Sequence, residues 1–127
     1  VASCCTTAPK AYEGPHKVII DTDMGNDIDD ALALAVALKA ANNNEIELLA
    51  VGCHKMSETP ARYVDIVNTY YGRPEVEAAM SLTPVKEYSS YADYTAEPCN
   101  MGFPESKGGV YPEPVALYRK ILSEAED

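Results

Sequence analysis

The sequence predicts an α/β fold, a parallel β-sheet flanked by helices. Three observations carry that expectation. A short apolar run, Lys17 to Ile20, leads through an acidic turn into a stretch with helical spacing of apolar residues. A second run, Ile46 to Val51, is continuously apolar over Leu48, Leu49, Ala50 and Val51, as strands covered on both faces tend to be. The strand-then-helix alternation then repeats, which is the pattern of βαβ units around a parallel sheet.

Each element has its own local reason. The segment Asp30 to Ala41 reads as a helix in which Leu32, Leu34, Val36 and Leu38, interleaved with alanines, leave almost no polar face, so burial on most sides is expected. Asn42, Asn43 and Asn44 end it. Thr59 offers a cap with Pro60 at the first helical position, and Tyr63, Ile66, Val67 and Tyr70 follow as an inward stripe before Gly72 closes the helix. Val76 to Met80 is a third, short parallel strand. Residues 81–111 lack periodicity and are rich in Tyr, Pro and Gly; a stretch of that length is either a binding wall or a surface excursion. Glu113 to Glu124 reads as a last helix with Val115, Tyr118, Ile121 and Leu122 inward.

Chemistry concentrates in the turn after the first strand. Asp21, Asp23, Asp27, Asp29 and Asp30 put five carboxylates within ten residues. Like charges packed a few ångströms apart repel, so such a group is stable at neutral pH when it is fanned into water or holds a cation. Helix capping accounts for one or two of them, but not for Asp21 and Asp23 at a strand end, where open α/β sheets place ligands. All-oxygen donors suit calcium or magnesium. An EF-hand loop starting at Asp21 fails, because Gly25, Asn26 and Leu32 stand where Asp or Asn, Gly and Glu are needed. The Asp21-x-Asp23 pair also resembles the opening of the haloacid dehalogenase-type phosphotransferases, which would make Asp21 a nucleophile with magnesium, although Gly25 stands where that family has Thr or Val.

The whole string is closer to another pattern. Asp21-Thr22-Asp23-Met24-Gly25, Asn26-Asp27-Ile28 and Asp29-Asp30-Ala31-Leu32 resemble the Asp-Thr-Asp-Pro-Gly-x-Asp-Asp-Ala signature of the inosine-uridine-preferring nucleoside hydrolases, with Met24 in place of proline and a turn two residues longer. The resemblance implies a Rossmann-like domain and calcium-dependent hydrolysis of the N-glycosidic bond of ribonucleosides, a reaction of purine and pyrimidine salvage. It implies Asp23 and Asp30 as calcium ligands, Asp29 as the base that also grips the ribose, Asn26 as a further substrate contact, and Asp21 and Asp27 as carboxylates orienting the others. It spans Lys17 onward and only the N-terminal part of the family's domain, about three strands. The family's fourth strand, its later calcium ligands and a late histidine have no counterpart, so weak activity of the 127 residues alone and association of copies through an open sheet edge are expected. Where the family has Gly-Asn after its second strand, Met56-Ser57 stand here, flanked by His54 and Lys55, which either meet substrate or are solvated. A ribose- or cation-binding module without catalysis is the remaining alternative.

Composition narrows the partners. With 46% hydrophobic and 24% charged residues the chain has the makeup of a globular domain, not of a disordered one. A net charge of −10 disfavours nucleic acid and anionic membrane surfaces and suits a cation or a neutral small molecule. No apolar run is long enough for a transmembrane helix. Cys4, Cys5, Cys53 and Cys99 show no Cys-x-x-Cys spacing, which argues against structural zinc. Val1-Ala2-Ser3-Cys4 resembles the end of a bacterial lipoprotein signal, so residues 1–15 are expected to be a flexible export-associated tail ahead of a 16–127 domain. That places the protein at the cell envelope or periplasm; without such a signal the expectation is cytoplasmic.

Overall fold

A computed structural model describes residues 14–83, 91–92, 104 and 106–125. Three strands, β1 (His16–Thr22), β2 (Ile46–Cys53) and β3 (Glu77–Met80), form one parallel sheet in the order β1-β2-β3. Helices α1 (Asp29–Asn42), α2 (Glu58–Tyr70) and α3 (Pro114–Glu124) flank it. The α/β expectation holds. The first 13 residues of the expected tail, and most of the stretch 84–105, lie outside the described residues.

The sheet separates two apolar layers. On one face Leu48, Val51 and Cys53 of β2, with Val18 and Ile20 of β1 and Ala78 of β3, pack against Leu34 and Leu38 of α1 and Val64 and Val67 of α2. On the other, Ala50 and Ala79 meet Leu117, Tyr118 and Ile121 of α3. Side chains of a strand alternate between faces, so Leu48 and Val51, three apart, should point in opposite directions. A bulge resolves this. Val18 pairs with Leu48 and Ile19 with Ala50, leaving Leu49 as an extra residue, so that Leu48 and Val51 both face α1 and α2.

Several sequence expectations need correction. The acidic turn is expected on an inner strand of a sheet covered on both faces, but among the described residues β1 lies at the sheet edge with β2 as its only strand partner. Helix α1 is not buried on most sides. Its inward row is Ala31, Leu34, Leu38 and Ala41, whereas Leu32 is 60% and Val36 70% exposed, because sheet and α2 cover only one side of it among the described residues. Helix α2 is capped by Ser57, whose Oγ accepts from the Thr59 N–H at 3.4 Å, rather than by Thr59. Pro60 then falls in the first turn, where its missing N–H has no intrahelical acceptor to lose. Tyr63 packs partly against the core but Tyr70 points outward. Gly72 closes the helix at φ +76°, as its position suggested. In α3 the inward row is Leu117, Tyr118 and Ile121, and Val115 and Leu122 are exposed, because the sheet-facing row starts at Pro114.

Helix α2 also carries buried polar groups that fix the return of the chain. Asp65 Oδ2 accepts from Ser106 Oγ at 2.8 Å and from the Lys107 backbone N–H, and Lys107 Nζ lies 3.3 Å from Asp65 Oδ1. Asn68 Nδ2 donates to the Val76 carbonyl at 3.1 Å and so sets the approach to β3. Pro112 then accepts from the Met80 N–H at 2.9 Å, and Glu113 caps α3 by accepting from Ala116 N–H at 3.0 Å.

Candidate functional site

The acidic turn leaves the carboxyl end of β1 and enters α1, the place where open parallel sheets present ligands. Thr22, buried, accepts from the Met24 N–H at 2.9 Å and bends the chain out of the strand. Met24 is fully buried and plugs the core beneath the turn. Gly25 takes φ +119°, a conformation in which a Cβ would be strained, and its N–H donates to Tyr91 Oη at 2.8 Å. Tyr91 in turn donates to Met24 Sδ at 3.2 Å and packs edge-on against Tyr63, with ring centroids 5.4 Å apart. Burial, with further contributions from Tyr63, Asp30 and Asp29, pushes the Tyr91 phenol up to about 12.

The five aspartates take different positions. Asp29 and Asp30 are the first two residues of α1 and complement its dipole; Ile28 stands at the cap with no side-chain capping bond. Asp23, Asp27 and Asp29 are exposed and Asp30 is half-buried. Asp21 is drawn to the opposite face of the sheet from the apolar helices α1 and α2. Its Oδ1 accepts from Tyr118 Oη at 2.7 Å and meets His54 Nε2, and both Asp21 and His54 are about half exposed, at 53% and 50%. Tyr118 reaches it only because residue 52 is glycine: a Cβ there would lie 1.9 Å from Tyr118 Oη. Burial and the neighbouring Asp21 carboxylate push the Tyr118 phenol upward.

The end of β2 lies beside the same turn. His54 N–H donates to the Thr22 carbonyl at 2.9 Å and extends the ladder past Cys53. Lys55, expected to meet substrate or water, is only 4% exposed, and its Nζ donates to Asn26 Oδ1 at 2.7 Å. Cys53 is a buried free thiol pushed up to about 12, by burial first, then by Asp30 and Asp21, with Lys55 acting in the opposite direction.

The chemistry available is therefore that of carboxylate oxygens beside one ammonium and one imidazole. Asp23 and Asp30 are donors of the kind a hard cation takes, but they are two where calcium takes six to eight oxygens. Among the described residues no group of three or more His, Cys, Asp or Glu side chains is arranged to hold a metal ion. Cavities of about 370 Å³, bordered by Pro15, Ile46 and Arg73, and about 400 Å³, bordered by Leu32, Lys39 and Tyr71, do not touch the acidic turn. No helix of the described residues is long and apolar enough to cross a membrane.

Compared with protein families, with curated proteins and with solved structures, the chain finds no match. The site residues that sequence reasoning missed are Tyr118, Tyr91 and the burial of Lys55. Gly52 inside an apolar strand was the one signal for Tyr118, since such a glycine marks a close approach of another group.

Proposed function

We propose that the chain carries the aspartate half of a nucleoside hydrolase-type site and that its chemistry is calcium-dependent cleavage of the N-glycosidic bond of ribonucleosides. The observation that supports this reading is the strand–turn–helix placement: Asp21 and Asp23 at the carboxyl end of β1, Asp29 and Asp30 in the first turn of α1, on a parallel α/β sheet. In this reading Asp23 and Asp30 hold calcium as part of a larger donor set. The ion, when bound, supplies the positive charge that makes a coordinated water a better nucleophile. Asp29, exposed at the helix start, takes the proton of the attacking water and accepts a hydrogen bond from a ribose hydroxyl. Asn26 adds a substrate contact from an amide whose oxygen Lys55 already fixes. The summed negative charge of the turn stabilises the oxocarbenium-like ribosyl centre. Asp21, engaged by Tyr118 and His54, orients the turn, and Asp27 adds to its charge; the same engagement disfavours Asp21 as a phosphoryl-accepting nucleophile.

The test is hydrolysis of a nitrophenyl riboside, inosine and uridine with calcium present. Asp29→Asn should lower kcat/KM at least about 100-fold, the usual contribution of a general base. Calcium uptake should vanish in calorimetry of the Asp23→Asn, Asp30→Asn double variant. Nitrophenolate release no faster than in buffer at saturating calcium would defeat the catalytic reading. Ribose binding without turnover would then favour a binding module, and a fluoroberyllate adduct at Asp21 with magnesium would favour phosphoryl transfer.

A further inference from the structure

The main chain of β1 is satisfied on one side only. The His54 N–H donates to the Thr22 carbonyl, so the backbone groups of Thr22 face β2, and by the alternation of a strand those of Lys17, Ile19 and Asp21 face away from it. Among the described residues no second strand takes them up. Such edges invite another strand, and proteins commonly blunt them with a lysine, a proline or a bulge. The bulge here lies on β2, at Leu49, and β1 contains no proline. Lys17 is exposed, and among the described residues no carboxylate lies within ion-pair distance of it. Its position decides what it does. Lys17 and Asp21 stand two residues on either side of Ile19, and all three side chains share the face of the sheet on which Tyr118 meets Asp21.

We propose that β1 pairs antiparallel with β1 of a second copy of this chain, about a two-fold axis at Ile19, to give one continuous six-stranded sheet. In this register Ile19 faces Ile19 of the partner subunit, Val18 faces Ile20 of the partner subunit on the side of α1 and α2, and Lys17 faces Asp21 of the partner subunit. Opposite charges therefore meet twice across the interface. The residues brought together as hydrogen-bonded pairs are Lys17, Ile19 and Asp21, the ones whose N–H and C=O groups point away from β2. Sliding the pair by two residues sets Lys17 or Asp21 against Ile19 and loses both charge pairs, so the charges fix the register. Asp21 Oδ1 is taken by Tyr118 and His54, and Oδ2 meets the incoming ammonium. The second copy thus adds a cation at the root of the acidic turn. Each copy carries a net charge of −10, and this repulsion is largely screened beyond the roughly 10 Å Debye length at 0.1 M salt. The pairing does not depend on the function proposed above.

Sedimentation equilibrium at about 0.1 M salt tests it. The unmutated chain should sediment at twice its 13.7 kDa mass. Lys17→Asp and Asp21→Lys each set like charges face to face and should weaken the dimer at least about tenfold. An equimolar mixture of the two variants restores an opposite pair at both ends of the strand pair and should recover the affinity of the unmutated chain. Ile19→Pro removes an edge N–H that β2 does not use, and should give a monomer with the far-UV circular dichroism of the unmutated chain. Where Asp21→Lys fails to fold for want of its Tyr118 contact, Lys17→Asp and Ile19→Pro decide the matter. A chain that stays monomeric up to about 1 mM overturns the proposal, as does a dimer that Lys17→Asp and Ile19→Pro leave unchanged, since the contact would then lie on another face.

Discussion

Gly52→Ala is the sharpest perturbation of the scaffold beneath the site. The new methyl would sit 1.9 Å from Tyr118 Oη, 2.8 Å from Tyr118 Cζ and 3.2 Å from Pro114 Cβ, and Pro114 is fully buried, so α3 has little room to yield. Overpacking of this kind costs about 1–3 kcal/mol. Displacing Tyr118 also breaks its 2.7 Å hydrogen bond to Asp21, a charge-assisted contact at an exposed carboxylate worth about 0.5–1 kcal/mol. The sum is about 1.5–4 kcal/mol, read as the shift of the urea midpoint by far-UV circular dichroism at constant slope. Tyr118→Ala removes both clashing atoms. The double variant should therefore be less destabilised than the two single changes added together, by at least about 1 kcal/mol. Tyr118→Phe should rescue less, since Cζ still crowds the methyl. A Gly52→Ala protein within about 0.5 kcal/mol of the unmutated chain, or strict additivity in the double variant, would refute the close approach of α3 to β2.

Asp65→Ala should destabilise the chain by about 3 kcal/mol, because it strands Ser106 and the Lys107 N–H and leaves the Lys107 ammonium without its buried partner; faster hydrogen exchange confined first to 106–112 checks the mechanism. Cys53 should resist alkylation in the folded chain at pH 8 and react only as the chain unfolds, as mass spectrometry of iodoacetamide-treated protein over a urea series would show. Since folding raises this thiol from 9.0 to about 12, the native state holds its proton more tightly than the unfolded chain. Its stabilising contribution is complete below pH 9 and is lost as pH rises toward 12, so the urea midpoint should fall across that window less steeply in Cys53→Ala.

Much of the framework was legible because it rests on local rules. The apolar runs of β1 and β2, the asparagines after α1 and Gly72 after α2 all act within a few residues of themselves. What escaped depends on partners far along the chain. The inward row of α1 could not be chosen from a sequence apolar on nearly every side; the sheet chose Leu34 and Leu38 over Leu32 and Val36. The edge position of β1 depends on which strands pair, which no single strand encodes. The acidic turn was visible in the sequence, but the side chains that hold it, Lys55 and Tyr118, lie 29 residues beyond Asn26 and 97 beyond Asp21.

That 97-residue span sets an order of events during synthesis. β1 emerges before α3, so Asp21 meets Tyr118 only after α3 has been made, roughly 5–20 s later at ordinary translation rates. Until then the α3 face of the sheet, with Ala50, Gly52 and Ala79, lacks the packing of α3, and Asp21 lacks the hydrogen bond from Tyr118. The carboxylates thus leave the ribosome well before the part of the scaffold that orients Asp21. A nascent chain stalled before residue 113 would display the acidic turn without its finished support.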